Sequence, residues 1–245
     1  MLREDSSQKW LVCLKNVVYH VDTMYSYSLQ EIYDAYWIPP QLQAHQIQVA
    51  TVGLWVCDQA GLQGVELDRT SLRLALLLHD MGNLVKFRRP FLGEMGQRAS
   101  LWEQRQDAWI QKYGKNAHNA TEAIVAELGV SGAVQHIIFE MRDEHQNTVE
   151  GISPEGIIAE YADLCVTPNG IEGFSLRVQD LLTRYSIAKT DMKVKGWYAI
   201  QDWVEEKTHL STSQLEVEIR DLQTTAQKTG AFLSDIRLEV HAKLG

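Results

Sequence analysis

An apolar helix that ends on two adjacent metal ligands constrains this chain more than any other feature of its sequence. The stretch Leu76–Asn83 reads LLLHDMGN, so that an apolar run stops at His79 and Asp80 and Gly82 then ends the helix. Burying an imidazole and a carboxylate is costly unless both groups are paired or bound to a cation. A fold that keeps this helix in its core therefore needs a compensating charge at this point, and a metal ion is the simplest one.

The rest of the chain reads as one helix after another, and no strand with alternating apolar residues stands out. Helix starts are marked by polar caps and by prolines, at Ser28 with Glu31, at Pro40, at Asp68, and at Ser153 before Pro154. An apolar period near 3.6 predicts helices over 7–24, from Ser28, and over 40–59, 68–80, 99–112, 116–128, 131–144, 153–165, 172–188, 196–208, 211–228 and 230–243. The predicted fold class is all-α.

The length of the chain predicts its organisation. A chain of 245 residues fits one large domain with an extension. We expect N-terminal helices over 1–37 that pack on the core, a helical-bundle domain over 38–190, and a C-terminal helical extension over 191–245. The charged helices of this extension form either a further layer on the core or a dimerising arm, which makes a homodimer an open expectation.

The composition limits which binding partners and which cellular compartment we expect for this protein. A net charge of −9 and an isoelectric point near 5.4 argue against an extended nucleic-acid-binding surface. The three scattered cysteines, Cys13, Cys57 and Cys165, indicate reduced and buried thiols. The charged N-terminus has no signal core, and no apolar run reaches the roughly 20 residues of a membrane span. We therefore expect a cytoplasmic protein that does not associate with membranes.

Candidate metal ligands recur along the chain in the order His45, His79 with Asp80, and Asp163. His45 follows the proline-started helix, and Asp163 follows a capped helix in the sequence YADLCVTP. This pattern resembles the HD-domain superfamily of metal-dependent phosphohydrolases, whose signature is His…His-Asp…Asp. The resemblance covers roughly residues 38–190 and implies an HD-domain helical bundle in which these four residues bind a metal ion.

Further histidines bear on the number of ions. Members of the superfamily with two metals add histidines between the His-Asp pair and the last aspartate, and His118 and His145 fall in that interval. His136 lies in the same region and could be the ligand instead of His145, although its apolar neighbours favour a core or boundary position. Imidazole and carboxylate ligands together suit one or two divalent ions among Mn, Fe, Co, Ni, Zn and Mg without choosing between them. Asp80 is either one ligand of a single ion or a bridge between two.

Cationic residues follow the His-Asp pair in the sequence LVKFRRPF. Guanidinium groups suit phosphate, so Arg88 and Arg89 are the predicted substrate-binding residues. The cyclic-dinucleotide phosphodiesterases of the superfamily commonly have a lysine soon after the pair. Asn83 departs from that pattern, and Lys86 is the candidate substitute, which makes Asp80 and Lys86 the predicted catalytic residues.

The resemblance implies an enzyme that hydrolyses a nucleotide or another small phosphate mono- or diester through a metal-activated water. The chain lacks the Gly-Tyr-Pro element that would follow His145 in the cyclic-dinucleotide subfamily, which argues against cyclic-di-GMP as the substrate. Two other classes stay open. Six candidate ligands allow an HD-fold di-iron oxygenase, and the acidic C-terminal helices with Trp197 and Trp203 allow a non-catalytic ligand-binding or regulatory module. The expected partner is a small, nucleotide-like phosphorylated molecule.

Overall fold

A computed structural model describes residues 24–88, 99–142, 148–230, 233–241 and 244. Its helices are α1 (Leu29–Ala35), α2 (Pro40–Leu62), α3 (Arg69–Leu78), α4 (Ala99–Tyr113), α5 (Ala117–Leu128), α6 (Gly132–Glu140), α7 (Pro154–Asp163), α8 (Phe174–Tyr185), α9 (Met192–Thr208), α10 (Thr212–Asp221) and α11 (Gln223–Gly230). Short 3-10 turns cover Asn83–Lys86 and Leu233–Asp235. The prediction of an all-α fold is confirmed, and the predicted helix over 7–24 lies outside the described residues apart from Met24.

The helix starts follow from the capping residues that the sequence displays. At α1, the Ser28 side chain accepts a hydrogen bond from the Glu31 backbone, while the Glu31 carboxylate accepts one from the Ser28 N–H. Asp68 caps α3 by accepting from the Ser71 N–H at 3.0 Å. Ser153 caps α7 in the same way. Each of these bonds satisfies backbone donors that the first turn of a helix leaves without a partner.

Short strands correct the expectation that none would form. Strand β1 (Tyr25–Ser28) pairs antiparallel with β4 (Arg237–Val240), and β2 (Val166–Thr167) pairs with β3 (Gly170–Ile171). The helix predicted over 230–243 is therefore wrong. In β4 the even-numbered residues are buried and the odd-numbered ones are exposed, which is the period of two that a half-buried strand requires. The helix predicted over 211–228 is also interrupted, at Leu222, between α10 and α11.

The core forms where α2, α3 and α7 pack together. Gly53 of α2 allows α3 to come close, because a Cβ at this position would lie 2.5 Å from Leu76 Cδ1. Helices α9 and α11 pack on α2 from the C-terminal part of the chain, and the fully buried Trp197 of α9 belongs to the same core. The domain boundaries at 37/38 and 190/191 stay a prediction.

Two expectations from composition bear on this core. Cys57 and Cys165 are buried and unoxidised, as predicted for thiols in apolar helices, while Cys13 lies outside the described residues. Of the helices in the described part of the chain, none combines the length and the apolar character that crossing a bilayer would demand.

Candidate metal centre

The ends of three core helices bring the predicted ligands together. His45 lies in the second turn of α2, His79 caps the C-terminus of α3, and Asp163 is the last residue of α7. Asp80 follows His79 in the turn that leaves α3. Because α2, α3 and α7 pack on one another, residues that are far apart in the sequence meet at one edge of the core.

The donor atoms of this group converge. His45 Nε2 lies 3.0 Å from Asp163 Oδ1, and His79 Nε2 lies 3.8 Å from the same oxygen. One ligand atom from each of His45, His79 and Asp163 lies within 4.8 Å of the other two. Asp80 stands beside this set, with its Oδ2 at 3.5 Å from His45 Nε2 and 3.8 Å from His79 Nε2. This spacing suits atoms that surround one cation.

The C-terminus of α3 fixes which nitrogen of His79 faces the centre. His79 Nδ1 lies 2.8 Å from the Leu76 carbonyl oxygen, an acceptor, so Nδ1 carries the hydrogen and donates it. In the neutral ring the lone pair is then on Nε2, as in histidines that bind metals. The buried Tyr33 of α1 donates its hydroxyl to the next carbonyl, that of Leu77, at 2.7 Å. Helix α1 thus stabilises the end of α3 that presents the ligand.

Two buried ligand atoms indicate whether the group is suited to a metal ion. His79 Nε2 and Asp163 Oδ1 are both buried, and neither makes a hydrogen bond of good geometry with a described residue, although His45 Nε2 lies 3.0 Å from Asp163 Oδ1. A buried polar atom without a partner costs free energy, which a bound cation would offset. The side chain of His79 is only 4% exposed, whereas those of His45, Asp80 and Asp163 are 20%, 21% and 29% exposed. The donor set therefore fits a divalent ion that is held at the protein surface and reachable from solvent.

The electrostatics of the group also favour a cation. Burial opposes protonation of His79, but the carboxylates of Asp80 and Asp163 and the Leu76 carbonyl outweigh it and raise the pKa of His79 to about 9. Burial likewise opposes ionisation of Asp163, yet His45, His79 and the charge of Arg177 hold the pKa of that carboxyl well below its usual range. The carboxylates create a negative field that either a proton or a metal ion can neutralise.

We expect metal binding to release a proton from this centre. Since His79 binds a metal only through a neutral Nε2, and its pKa is about 9, an ion must displace its proton at neutral pH. The apparent affinity for a divalent ion should therefore rise up to about tenfold for each pH unit toward pH 9. Calorimetric titration in two buffers of different ionisation enthalpy measures the released proton. An affinity that stays flat between neutral pH and this value, without proton release, would contradict the assignment.

Gln46 is a residue of the site that the sequence interpretation missed. It is fully buried on α2, and its Oε1 accepts a long hydrogen bond of 3.4 Å from the Asp80 N–H. The contact ties the turn that carries Asp80 to the helix that carries His45. A signal was present in the sequence, because Gln46 follows Leu42 by four residues and precedes Ala50 by four, which places a polar residue in an apolar stripe.

Gly82 allows the turn after Asp80 to pack closely against α5. Its N–H donates to Thr121 Oγ1 at 2.8 Å, and a Cβ here would lie less than 3.0 Å from the Ala117 carbonyl oxygen and the Thr121 nitrogen. The first turn of α5 thus lies directly on this loop, and it carries the half-buried His118. His118 does not belong to the three-residue cluster, and its role as a further ligand stays a prediction.

The remaining predicted residues have no contact that assigns them to this cluster, or they lie outside the described residues. Lys86 ends the 3-10 turn Asn83–Lys86 and is exposed, as is Arg88. Arg89 and His145 lie outside the described residues. The roles assigned to these four residues therefore stay predictions. The core or boundary position predicted for His136 is wrong, because its side chain is 63% exposed on α6, where its Nε2 lies 3.2 Å from Glu140 Oε1.

Comparison with known proteins agrees with this geometry. The model of the HD domain family matches residues 42–167, a range that covers more than half of the chain and contains His45, His79, Asp80 and Asp163. The chain therefore belongs to the HD domain family, the superfamily of HD metal-dependent phosphohydrolases. Neither the curated proteins nor the solved structures contain a match to this chain.

Proposed function

We propose that this protein is a metal-dependent phosphohydrolase that acts on a nucleotide or another small phosphate mono- or diester. One observation carries the proposal. His45, His79 and Asp163 bring three ligand atoms within 4.8 Å of one another in a chain of the HD family. Two of these atoms are buried without a hydrogen bond of good geometry in the described structure, which favours a metal-binding role over a purely structural one.

Each residue of the centre has a part in the proposed reaction. His45, His79 and Asp163 would hold the divalent ion, and Asp80 would complete the set from beside the two histidines. When bound, such an ion supplies an acidified water and neutralises charge on the phosphoryl oxygens. Asp80 has a second carboxylate oxygen, which would be available to orient a water molecule. Gln46 holds the Asp80 backbone in place during this step.

The net charge of the protein favours a small substrate. The chain carries a net charge of −9, which repels long polyanions in general. A single phosphorylated molecule can still bind where a metal ion and a few cationic side chains overcome this repulsion locally. We therefore propose a small, nucleotide-like phosphate ester as the substrate rather than a nucleic acid.

Removal and return of the metal tests the proposal. Protein treated with a chelator should lose hydrolysis of bis(p-nitrophenyl) phosphate, p-nitrophenyl phosphate and a panel of nucleotides, and one of Mn, Fe, Co, Ni, Zn or Mg should restore it. We expect a difference of about 100-fold or more between the two forms, because a bound ion stabilises the transition state by several kcal/mol. A metal-loaded protein that is inert toward the whole panel would contradict the proposal. Oxygen uptake by an iron-loaded form would point to an oxygenase instead.

A further inference from the structure

An arginine lies in the first turn of the helix that follows Asp163, and contacts between the two helices place this turn near the candidate metal centre. The backbone N–H groups of Glu172 and Gly173 both donate to the Cys165 carbonyl, which ties the start of α8 to the end of α7. The Phe174 ring, at the first position of α8, stacks on Tyr161 of α7 with 5.9 Å between centroids. These contacts fix the first turn of α8 close to the helix end that carries Asp163.

Arg177 lies on the core-facing side of this first turn. It follows Phe174 by three residues and precedes the buried Val178, so its side chain leaves α8 on the side that faces the core. The side chain is only 13% exposed, which is unusual for an arginine.

The hydrogen bonds of Arg177 leave part of its guanidinium group unused. Nη1 donates to Asp180 Oδ2 at 3.1 Å, while the buried Nε has no hydrogen-bond partner among the described residues. Asp180 is shared, because Arg184 Nη2 donates to both of its oxygens at 2.7 and 2.8 Å. Two guanidinium groups thus face one carboxylate. This cluster of Arg177, Asp180 and Arg184 carries a net positive charge in an acidic protein.

A second carboxylate near the start of α8 does not neutralise this charge. Glu216 of α10 accepts from the Ser175 N–H at 3.2 Å and from Arg220 Nη2 at 3.1 Å. It is therefore engaged with another arginine. A guanidinium group that is held by one carboxylate and keeps free donors is suited to a phosphate oxygen, since its planar fork can donate two parallel hydrogen bonds.

We propose that Arg177 binds a phosphate group of the substrate beside the metal centre, and that Asp180 orients its guanidinium group for this contact. The inference rests on the proposed function, and it assigns the phosphate contact to α8. The role is distinct from that predicted for Arg88 and Arg89, which precede α4 in the sequence.

Inorganic phosphate is the probe that tests this assignment without turnover. Phosphate binding to the metal-loaded protein is measured by calorimetric titration for the wild type, R177M, R177K and R69M. Methionine keeps the apolar stem that packs in the fold and removes the charge. We expect R177M to weaken phosphate binding by roughly 10- to 100-fold, the range of charge-assisted hydrogen bonds. R177K should lie between R177M and the wild type, because lysine retains the charge without the fork.

The control is R69M, which removes an arginine that is 53% exposed and pairs with Asp58 at the end of α3 opposite His79. It should bind phosphate within about threefold of the wild type, as expected for an exposed ion pair. Metal content and melting temperature are measured for every variant, and R177K serves as the folded comparison if R177M does not fold. Equal phosphate binding in the wild type and in the folded Arg177 variant would overturn the assignment.

The same variants separate this inference from the proposed function. If the wild type hydrolyses phosphate esters and the Arg177 variants do so with unchanged KM, the assignment of Arg177 fails and the phosphohydrolase stands. If no ester is hydrolysed but phosphate binding still depends on Arg177, the phosphate contact stands and the proposed reaction fails.

Discussion

Replacement of His79 by asparagine is expected to abolish metal-dependent turnover while the protein stays folded. Asparagine can still donate to the Leu76 carbonyl, which His79 Nδ1 now does at 2.8 Å, but it has no atom at the position of Nε2. The variant therefore removes one ligand with little change at the end of α3. Loss of a metal that stabilises the transition state by several kcal/mol corresponds to a fall in kcat/KM of about 10³-fold.

The control for this variant is H136N. His136 also lies on a helix, is 63% exposed, and belongs to a contact with Glu140 that is separate from the cluster of His45, His79 and Asp163. It should keep the rate and the metal content of the wild type. Retention of both properties in H79N would show that His79 is not a ligand, and an equal loss of both in H136N would show that the effect is not specific to the cluster.

The second large effect is expected at Gly82, where an added methyl group cannot be accommodated. The atoms that it would meet are the Ala117 carbonyl oxygen and the Thr121 nitrogen, which belong to the backbone of α5 and cannot rotate away as a side chain can. We expect G82A to lower the free energy of unfolding by about 3 kcal/mol, at the upper end of the usual cost of overpacking. Activity should also fall, because the turn that carries Asp80 must move relative to α5.

The matched control is G61A. A Cβ at Gly61 meets nothing within 4 Å, and this residue lies in the last turns of α2. Alanine should stabilise the helix there by about 0.5–1 kcal/mol, because it restricts the unfolded chain without a clash. Urea unfolding of both variants measures the two free energies. A G82A protein as stable and as active as the wild type would contradict the packing of Gly82 against α5.

Local signals made much of the helical framework predictable. The capping residues at Ser28, Asp68 and Ser153 act within one helical turn, and each of the three helices begins where its cap predicts. Strand β4 was missed because it pairs with β1 from the other end of the described chain, and pairing at such distance leaves little trace in a short segment. Long-range pairing thus overrode a helical pattern over 237–240.

The residues of the candidate site also differ in whether a local sequence signal reveals them. The His-Asp pair could be predicted because its signal is local: an apolar helix stops at two polar ligands. Gln46 could have been found from its place in an apolar stripe of α2. Arg177 had no comparable signal, because a charged residue on an amphipathic helix normally faces solvent. Only the contacts between α7 and α8 bring it near Asp163.

Metal content is the most direct test of the metal centre itself. Elemental analysis of wild-type and H79N protein, purified side by side without chelator and then loaded with each divalent ion, gives ions per chain. We expect at least one tightly held ion per wild-type chain and a loss of that ion in H79N. A value near two would implicate His118 and a further histidine, whereas a value near one would leave His45, His79, Asp80 and Asp163 as the whole set. A wild-type chain that retains no ion after loading would contradict the account.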